Sequence, residues 1–426
     1  MRVAAFAVGV AALAITASPA MAVRYPPAKD PPGVQKAPKG PHHTLKVGKH
    51  AKYKTIIAAV KHAKAGDTIR VAHGTYKGQV HIAGAKKRYL QIIGDVKHPN
   101  KVIVELKGRH GPSAQNGFFI DGADQVRVAG FQAQHYKANG FFALNVKGYK
   151  FDHDIGKWGG TYGLYAFNSY GGVMTDDVGA WNNDSGFYIG QTPKQTKPTR
   201  TIATRLKAYG NVIGWSGTNM RYVTITKSKF WNNGTGIVPN TLDSEKFPPP
   251  ERNVIVDNDI FWNNFNFHEG HPPFKVNDHA TSALVPIGTG IVFLGGRQNR
   301  VENNRIFGNY LGGIGAIDGF LLKENPQAVT LDRNIVKGNQ FGRGGTDTNG
   351  RDIVYDGSGT GNCFTLAPTD TVLDPSALGT CSGGKNPFSQ PTRDEMLSWI
   401  GEGATKGWRK PGHPPKKGYK PLESFK

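Results

Sequence analysis

Three charged residues stand seven positions after three glycines: Arg221 after Gly214, Asp243 after Gly236 and Arg297 after Gly290. If those glycines mark equivalent points of a repeat, an aspartate lies between two arginines on adjacent turns of the chain. Glu245 and Lys246 follow closely, and Asp318 falls one repeat further on. A set of this kind can neutralise a uronate carboxylate and abstract the adjacent proton, the requirement for a polysaccharide lyase or epimerase. Arg221, Asp243, Arg297 and Lys246 are therefore the catalytic candidates. The same column also reads as a surface ladder of ion pairs with no chemistry attached.

A second group is Asp152, His153 and Asp154, with Asp176 and Asp177 behind it; Asp177 follows Asp154 by 23 residues. Stacked on neighbouring strands, Asp154 and Asp177 would sit ~4.8 Å apart at the backbone. Two carboxylates that close suit Ca²⁺ or a retaining glycosidase pair. As plain turn residues they would face solvent. His268, Glu269, His271 and His279 lack the i,i+4 spacing of a helical zinc site. They read better as a loop bordering a groove.

The elements that must position these groups come from a repeat. Gly117, Gly140, Gly163 and Gly186 recur every 23 residues, and the series continues at Gly214, Gly236, Gly290 and Gly313. The longer gaps hold insertions at Thr192–Arg200, Leu242–Arg252 and Phe265–Gly288. Each glycine opens a strand, such as Gly140-Phe141-Phe142-Ala143 or Gly186-Phe187-Tyr188-Ile189. A fixed period in the 20s with one strand per unit is the mark of a solenoid. Asn183, Asn211, Asn233, Asn264 and Asn309 precede opening strands, and Asn258, Asn304 and Asn334 fall near an earlier turn. Stacked amides there satisfy backbone groups that turns leave unpaired. A leucine-rich repeat would show a Leu consensus and a helix per unit, which this chain lacks.

Strand alternation sorts the repeat into columns. Phe118, Phe141, Leu164, Phe187, Trp215, Ile237, Ile291 and Ile314 face inward. Phe119, Phe142, Tyr165, Tyr188, Ser216, Val238, Val292 and Gly315 face outward. Four successive outward aromatics make a surface on which sugar rings would stack. Asn168, Gln191 and Asn219, with Asn145 and Thr241, follow on the same strands as amide and hydroxyl partners for sugar hydroxyls. Phe119, Phe142, Tyr165, Tyr188, Asn168, Gln191 and Asn219 are thus the substrate-binding candidates. Cover by an N-terminal loop or by the tail is the alternative.

Ala65-Gly66-Asp67-Thr68-Ile69-Arg70-Val71-Ala72-His73-Gly74-Thr75-Tyr76 resembles the opening of pectin-lyase-like β-helix proteins. The resemblance runs from about Lys46 to Phe364 and implies an all-β, right-handed parallel β-helix. The superfamily hosts lyases, hydrolases, esterases, epimerases and non-catalytic adhesins, so it implies no single reaction. Phe151-Asp152-His153 resembles an Asp-His element of pectate lyases, but the upstream Trp and the following Arg-x-Pro-x-x-Arg are missing. The Gly-Arg-Pro-Trp of pectin methylesterases and the Gly-His-Gly of polygalacturonases are also missing.

The ends complete the organisation. Arg2, the apolar run from Val3 and Ala20-Met21-Ala22 read as a secretory signal over 1–22. Residues 23–45 form a basic, Pro-rich linker, 46–385 the β-helix, and 386–426 a C-terminal cap and tail. Thr55–Lys64 is expected to form a helix that caps the coil. Gly74-Thr75-Tyr76 is read as a turn. In an exported chain, Cys363 and Cys381 pair as a disulfide. The net charge of +22 is concentrated at the termini, with +9 in residues 23–65 and +5 in 402–426. That suits an anionic polymer. It also suits solvated tails. No nucleic-acid motif, phosphate loop or nucleophile elbow is present, and no later run is long enough to span a membrane. The expectation is a secreted monomer that binds, and cleaves or epimerises, an acidic polysaccharide, with calcium as the one cofactor under consideration. The alternative is a non-catalytic cell-wall-binding or structural β-helix.

Overall fold

The computed structural model describes residues 31–268, 272–274, 286–319, 328–343, 347–379, 381 and 383–403. Within them the chain winds as a right-handed parallel β-helix with three sheets of twelve, ten and ten strands. The first sheet runs from Thr44–Val47 to Cys363–Thr365, the second from Gly74–Lys77 to Gln340–Phe341, and the third from Val80–Ala83 to Arg351–Tyr355. The chain visits them in that order on every coil, so each strand bonds to its counterpart one coil away. Gly74-Thr75-Tyr76 is thereby a strand rather than a turn. Residues 1–30, which include the expected signal segment over 1–22, and the residues beyond Gly403 lie outside the described residues.

The repeat glycine has a steric cause. A Cβ on Gly140 would lie 2.5 Å from the carbonyl oxygen of Gly163, and one on Gly163 2.5 Å from that of Gly186. The same contact recurs at Gly214, Gly236 and Gly290, at 2.4–2.6 Å. The backbone can bend into the third sheet only where no side chain separates the coils. The residues that follow bear out the inward column: Phe118, Phe141, Leu164, Phe187, Trp215, Ile237, Ile291 and Ile314 are fully buried and stand in register.

Corners are tied by side-chain ladders. Between the second and third sheets, Asn182, Asn211, Asn233, Asn263, Asn309 and Asn349 pass hydrogen bonds from coil to coil. The ladder residues are thus Asn182 and Asn263, not their neighbours Asn183 and Asn264. Between the first and second sheets a single left-handed residue makes the turn, as at His153, Asp176, Lys227, Asp257 and Asn303. The next residue enters the interior: Asp154, Asp177, Ser228, Asn258 and Asn304 are buried.

One helix covers the first coil, and a second packs on the outside of the third sheet. Helix α1 (Ile56–His62) starts at Thr55, whose hydroxyl accepts from the Ala58 N–H at 3.1 Å. It buries Ile56, Ala59 and Val60 over the first coil. The described part of the basic linker lies against the solenoid: the Gly33 N–H donates to the Gly171 carbonyl at 2.8 Å and the Gln35 N–H to Gln125 Oε1 at 2.7 Å. At the other end, helix α2 (Gln390–Gly403) lies along the third sheet. Its Arg393 ties Asp318 and Asp356, each at 2.8 Å. A Cys363–Cys381 disulfide closes the loop before it.

Candidate functional site

The outward face of the third sheet changes character abruptly. His81 and Ala83 are exposed, and Phe119, Asp121, Phe142, Leu144, Tyr165 and Phe167 are half-buried. From the next coil onward, Tyr188, Gly190, Ser216, Thr218, Val238, Asn240, Val292, Leu294, Gly315 and Ile317 are all buried. Phe265, Phe267 and Ile287 from the long insertion pack with Val238 and Val292, as do Met396 and Trp399 of α2. The expected aromatic surface therefore survives at Phe119, Phe142 and Tyr165, is extended by His81, and ends at Tyr188, which is 3% exposed.

The surviving rings stack on one another. His81–Phe119, Phe119–Phe142 and Phe142–Tyr165 have centroids 4.7, 5.1 and 4.4 Å apart and planes within 9°. Their faces are occupied by neighbouring rings, so solvent meets ring edges rather than the faces sugar stacking needs. The stack breaks at Tyr188, which meets Tyr165 edge-on at 88°. Tyr162 completes a three-ring cluster, 4.7 Å from Tyr165 and 4.6 Å from Tyr188. His81 and Tyr162 were not legible as site residues. The coil of His81 lacks the repeat glycine, and Tyr162 precedes one.

Over this cluster lies the loop that follows Thr235–Asn240. The Tyr188 hydroxyl donates to Glu245 Oε1, and Glu245 Oε2 is buried without a hydrogen-bond partner. Gly190 makes room: a Cβ there would lie 2.3 Å from the Tyr188 ring and 2.7 Å from Glu245 Oε2. Burial raises the Glu245 carboxyl to about 7, against the opposing pull of the Tyr188 hydroxyl and the Gln191 backbone. Burial, with Glu245 nearby, pushes the phenols of Tyr162, Tyr165 and Tyr188 above their ordinary value, and Asp184 adds to this at Tyr162 and Tyr165. A carboxyl half-ionised near neutral pH beside phenols that keep their protons forms an acid–base couple.

Two of the expected sugar-binding amides hold this loop instead. Asn219 is fully buried; its Nδ2 donates to the carbonyls of Leu242 and Glu245 at 2.8 and 2.7 Å. Gln191 Oε1 accepts the Lys246 N–H at 2.9 Å. Asn168 remains on the surface, where its Nδ2 donates to Asn145 Oδ1 at 2.7 Å. Beyond that row, Lys147, Tyr170, Lys194, Gln195 and Lys197 line a cleft of about 560 Å³.

The charged column forms with a different acid. Glu251, not Asp243, pairs in register with Arg221 and Arg297. Its carboxylate meets Arg221 Nη1, and Arg297 Nε at 2.5 Å. Asp243 is exposed on the loop, because the 242–252 insertion removes it from the coil. Arg221 is 1% exposed, and it also donates to the carbonyls of Phe247 and Pro248, each at 3.1 Å. These bonds place it as a clip for the loop base. Lys246 is exposed next to Glu245.

Asp154 and Asp177 stack one coil apart as expected, but they point inward. Asp154 accepts the N–H groups of Phe131 and Asp152 at 2.9 and 3.2 Å, and Asp177 accepts that of Asp154 at 2.8 Å. Burial raises both carboxyls well above the usual range. Ca²⁺ needs six or more oxygen ligands. Carboxyls ringed by N–H donors inside an apolar coil do not fit it. Outside the same corner, Asp152, His153 and Asp176 converge within 4.8 Å. Cations already hold them: Arg127 and Lys150 reach Asp152 at 2.5 and 2.9 Å, and Arg205 reaches Asp176 at 2.7 Å. Of the four insertion residues, only His268 is described; Glu269, His271 and His279 lie outside the described residues.

No protein-family model matches the chain, and no curated protein matches it. Among solved structures it is similar to an alginate lyase from Paenibacillus sp. strain FPU-7, at 15% identity and TM-score 0.44, covering 74% of this chain and 97% of that one. It is similar to a periplasmic alginate epimerase at 12% identity and TM-score 0.43, covering 68% and 74% of the two chains. It is also similar to a pectate lyase at 13% identity and TM-score 0.40, covering 81% of each. Likenesses this distant transfer no residue roles.

Proposed function

We propose that the protein works outside the cytoplasm on an acidic polysaccharide, by proton transfer at the Glu245–tyrosine cluster, as a lyase or epimerase. The observation that carries this reading is Glu245, raised to about 7 by burial and placed at the closed end of an open, polymer-sized face. Ionised Glu245, whose Oε1 accepts from Tyr188 and whose Oε2 is buried, takes through the Tyr188 hydroxyl the proton lost from the carbon α to a uronate carboxylate. Tyr165, which keeps its proton, protonates the departing glycosidic oxygen, and an unsaturated sugar end forms. Return of a proton to the opposite face of that carbon would give epimerisation instead. Lys246 and the Lys147–Lys194–Lys197 edge supply positive charge for the carboxylates. The net charge of +22 supports an anionic partner, and the Cys363–Cys381 bond suits an oxidising compartment.

The test is ultraviolet detection of unsaturated uronate, with proton NMR for epimerisation, on alginate, polygalacturonate and hyaluronan. Glu245→Gln is expected to lower kcat about 100-fold or more, with a wild-type rate that rises with pH through about 7. Wild-type protein that forms neither product, with and without Ca²⁺, would overturn the enzymatic reading. Salt-sensitive retention on the same polymers, unaffected by Glu245→Gln, would then support the non-catalytic alternative.

A further inference from the structure

We infer that the protein engages the end of a polysaccharide chain rather than its interior. This rests on the reading of the third sheet as the polymer-binding face. An enzyme or binder that grips the middle of a polymer needs a trough open at both ends. Here the face is open only on the coils of His81, Phe119, Phe142 and Tyr165. On the next coil the outward residues Tyr188 and Gly190 are buried, while Asp243, Ser244 and Lys246 of the loop above them are exposed. The loop therefore stands proud of the sheet and crosses its face as a wall.

The wall is built to stay in place. Asn219 grips two of its carbonyls and accepts the Leu242 N–H at 3.3 Å. Gln191 holds the Lys246 N–H, and Tyr188 holds Glu245 from below. At its base the Arg221–Glu251–Arg297 column fixes the chain as it re-enters the solenoid. The Asn219 and Arg221–Glu251 contacts hold one geometry, because breaking either strands a buried polar group out of water. Behind the wall, Phe265, Phe267, Met396 and Trp399 cover the outward residues of the sheet among the described residues.

The dimensions set the number of sugars. Four coils at the strand spacing give ~19 Å of open face. A pyranose in an extended chain advances by about one strand spacing, so the face holds about four residues with the terminal one against Glu245 and the wall. The charged edge runs beside it, which favours a polymer carrying a carboxylate on each sugar. Specificity for chain ends thus comes from one inserted loop, Leu242–Arg252, rather than from the repeat itself.

The experiment measures how many protein molecules bind each chain of size-fractionated polygalacturonate and alginate, by light scattering on Glu245→Gln protein, alongside calorimetry with oligouronates of two to eight sugars. The expected loading is one protein per chain whatever its length, with oligomer affinity levelling off at about four sugars. Loading that grows in proportion to chain length overturns chain-end engagement while leaving the polymer-binding reading intact. Absence of binding to every fraction overturns that reading and the inference with it. In Asn219→Ala/Gln191→Ala protein the loop is released, and loading is expected to grow with length. If that variant, folded by circular dichroism, still binds one per chain, the loop is not the wall.

Discussion

The N-terminal and C-terminal halves of the solenoid share one repeat but treat its outward surface in opposite ways. On the first four coils of the third sheet, His81, Phe119, Phe142 and Tyr165 stack in a column that keeps contact with solvent. On the later coils the same column reads Ser216, Val238, Val292 and Gly315, all buried. There it serves as the floor of a second small core beneath α2 and the long insertion. A residue that points out of a β-helix is therefore not necessarily at its surface. The covered half uses small and aliphatic outward residues that accept another layer. The open half uses rings that shield one another.

The sharpest way to break that comparison is to cut one large side chain from each half. Trp399 is 6% exposed and lies over Gly312, where an added Cβ would come within 3.3 Å of its ring. Trp399→Ala is expected to cost about 3–4 kcal/mol and to release hydrogen-exchange protection in Gly312–Ile317. Phe142→Ala leaves a gap between Phe119 and Tyr165 that water can enter, and is expected to cost about 1–2 kcal/mol. Urea unfolding of both variants measures the difference. Equal costs would mean that the two halves are equally covered.

The boundary between the halves gives the next effect. Glu245 is raised from 4.5 to about 7, so the folded state holds its proton more tightly than the unfolded chain does. Its contribution is fully present below pH 4.5 and is lost as pH rises through about 7. That rise corresponds to at most about 3 kcal/mol, reduced by solvent at a partly exposed loop. Glu245→Gln should remove that slope, so its stability relative to wild type improves between those two pH values. Urea midpoints across that range check it; an unchanged slope in the variant would assign the pH dependence elsewhere.

Much of this was legible in the sequence, and the failures have identifiable causes. Period and alternation were enough for the inward column from Phe118 to Ile314, because a solenoid repeats its backbone as well as its pattern. The ladder was misread by one residue at Asn182/Asn183 and Asn263/Asn264, where two asparagines adjoin and only the first turns inward. The charged column differs at Asp243 because seven residues after Gly236 lie within an insertion. Counted back from the next strand, Glu251 stands two residues before Asn253, as Arg297 stands two before Asn299. In the sequence Glu245 reads only as a neighbour of Asp243 and Lys246. Its place over Tyr188, 57 residues away, depends on how the loop folds back across coils, and no local pattern encodes that.

The halves differ inside as well, and this gives the smallest expected effect. At the corner between the first and second sheets the covered half uses amides. Asn258 Oδ1 accepts the Ser228 N–H at 3.0 Å, while its Nδ2 donates to the Ile225 carbonyl at 3.0 Å and to Asn304 Oδ1 at 2.9 Å. The open half uses Asp154 and Asp177 at the equivalent positions. Asp177 keeps the accepting half of the pattern, from the Asp154 N–H, with the Thr175 N–H nearby, but its Oδ2 makes no well-formed hydrogen bond. By analogy with Asn258 and Ile225, Asp177→Asn is expected to turn its N–H to the carbonyl at the matching position on the coil above, Phe151. The acceptor bond is retained and a donor bond is gained, worth about 1 kcal/mol. Because burial raises the Asp177 carboxyl, the native aspartate is best tolerated in acid and least in alkali. The stabilisation should therefore be small at low pH and grow as pH rises. A variant less stable than wild type at pH 8 would show that the carboxyl has a partner the amide cannot replace, and the two halves would then differ by requirement rather than by tolerance.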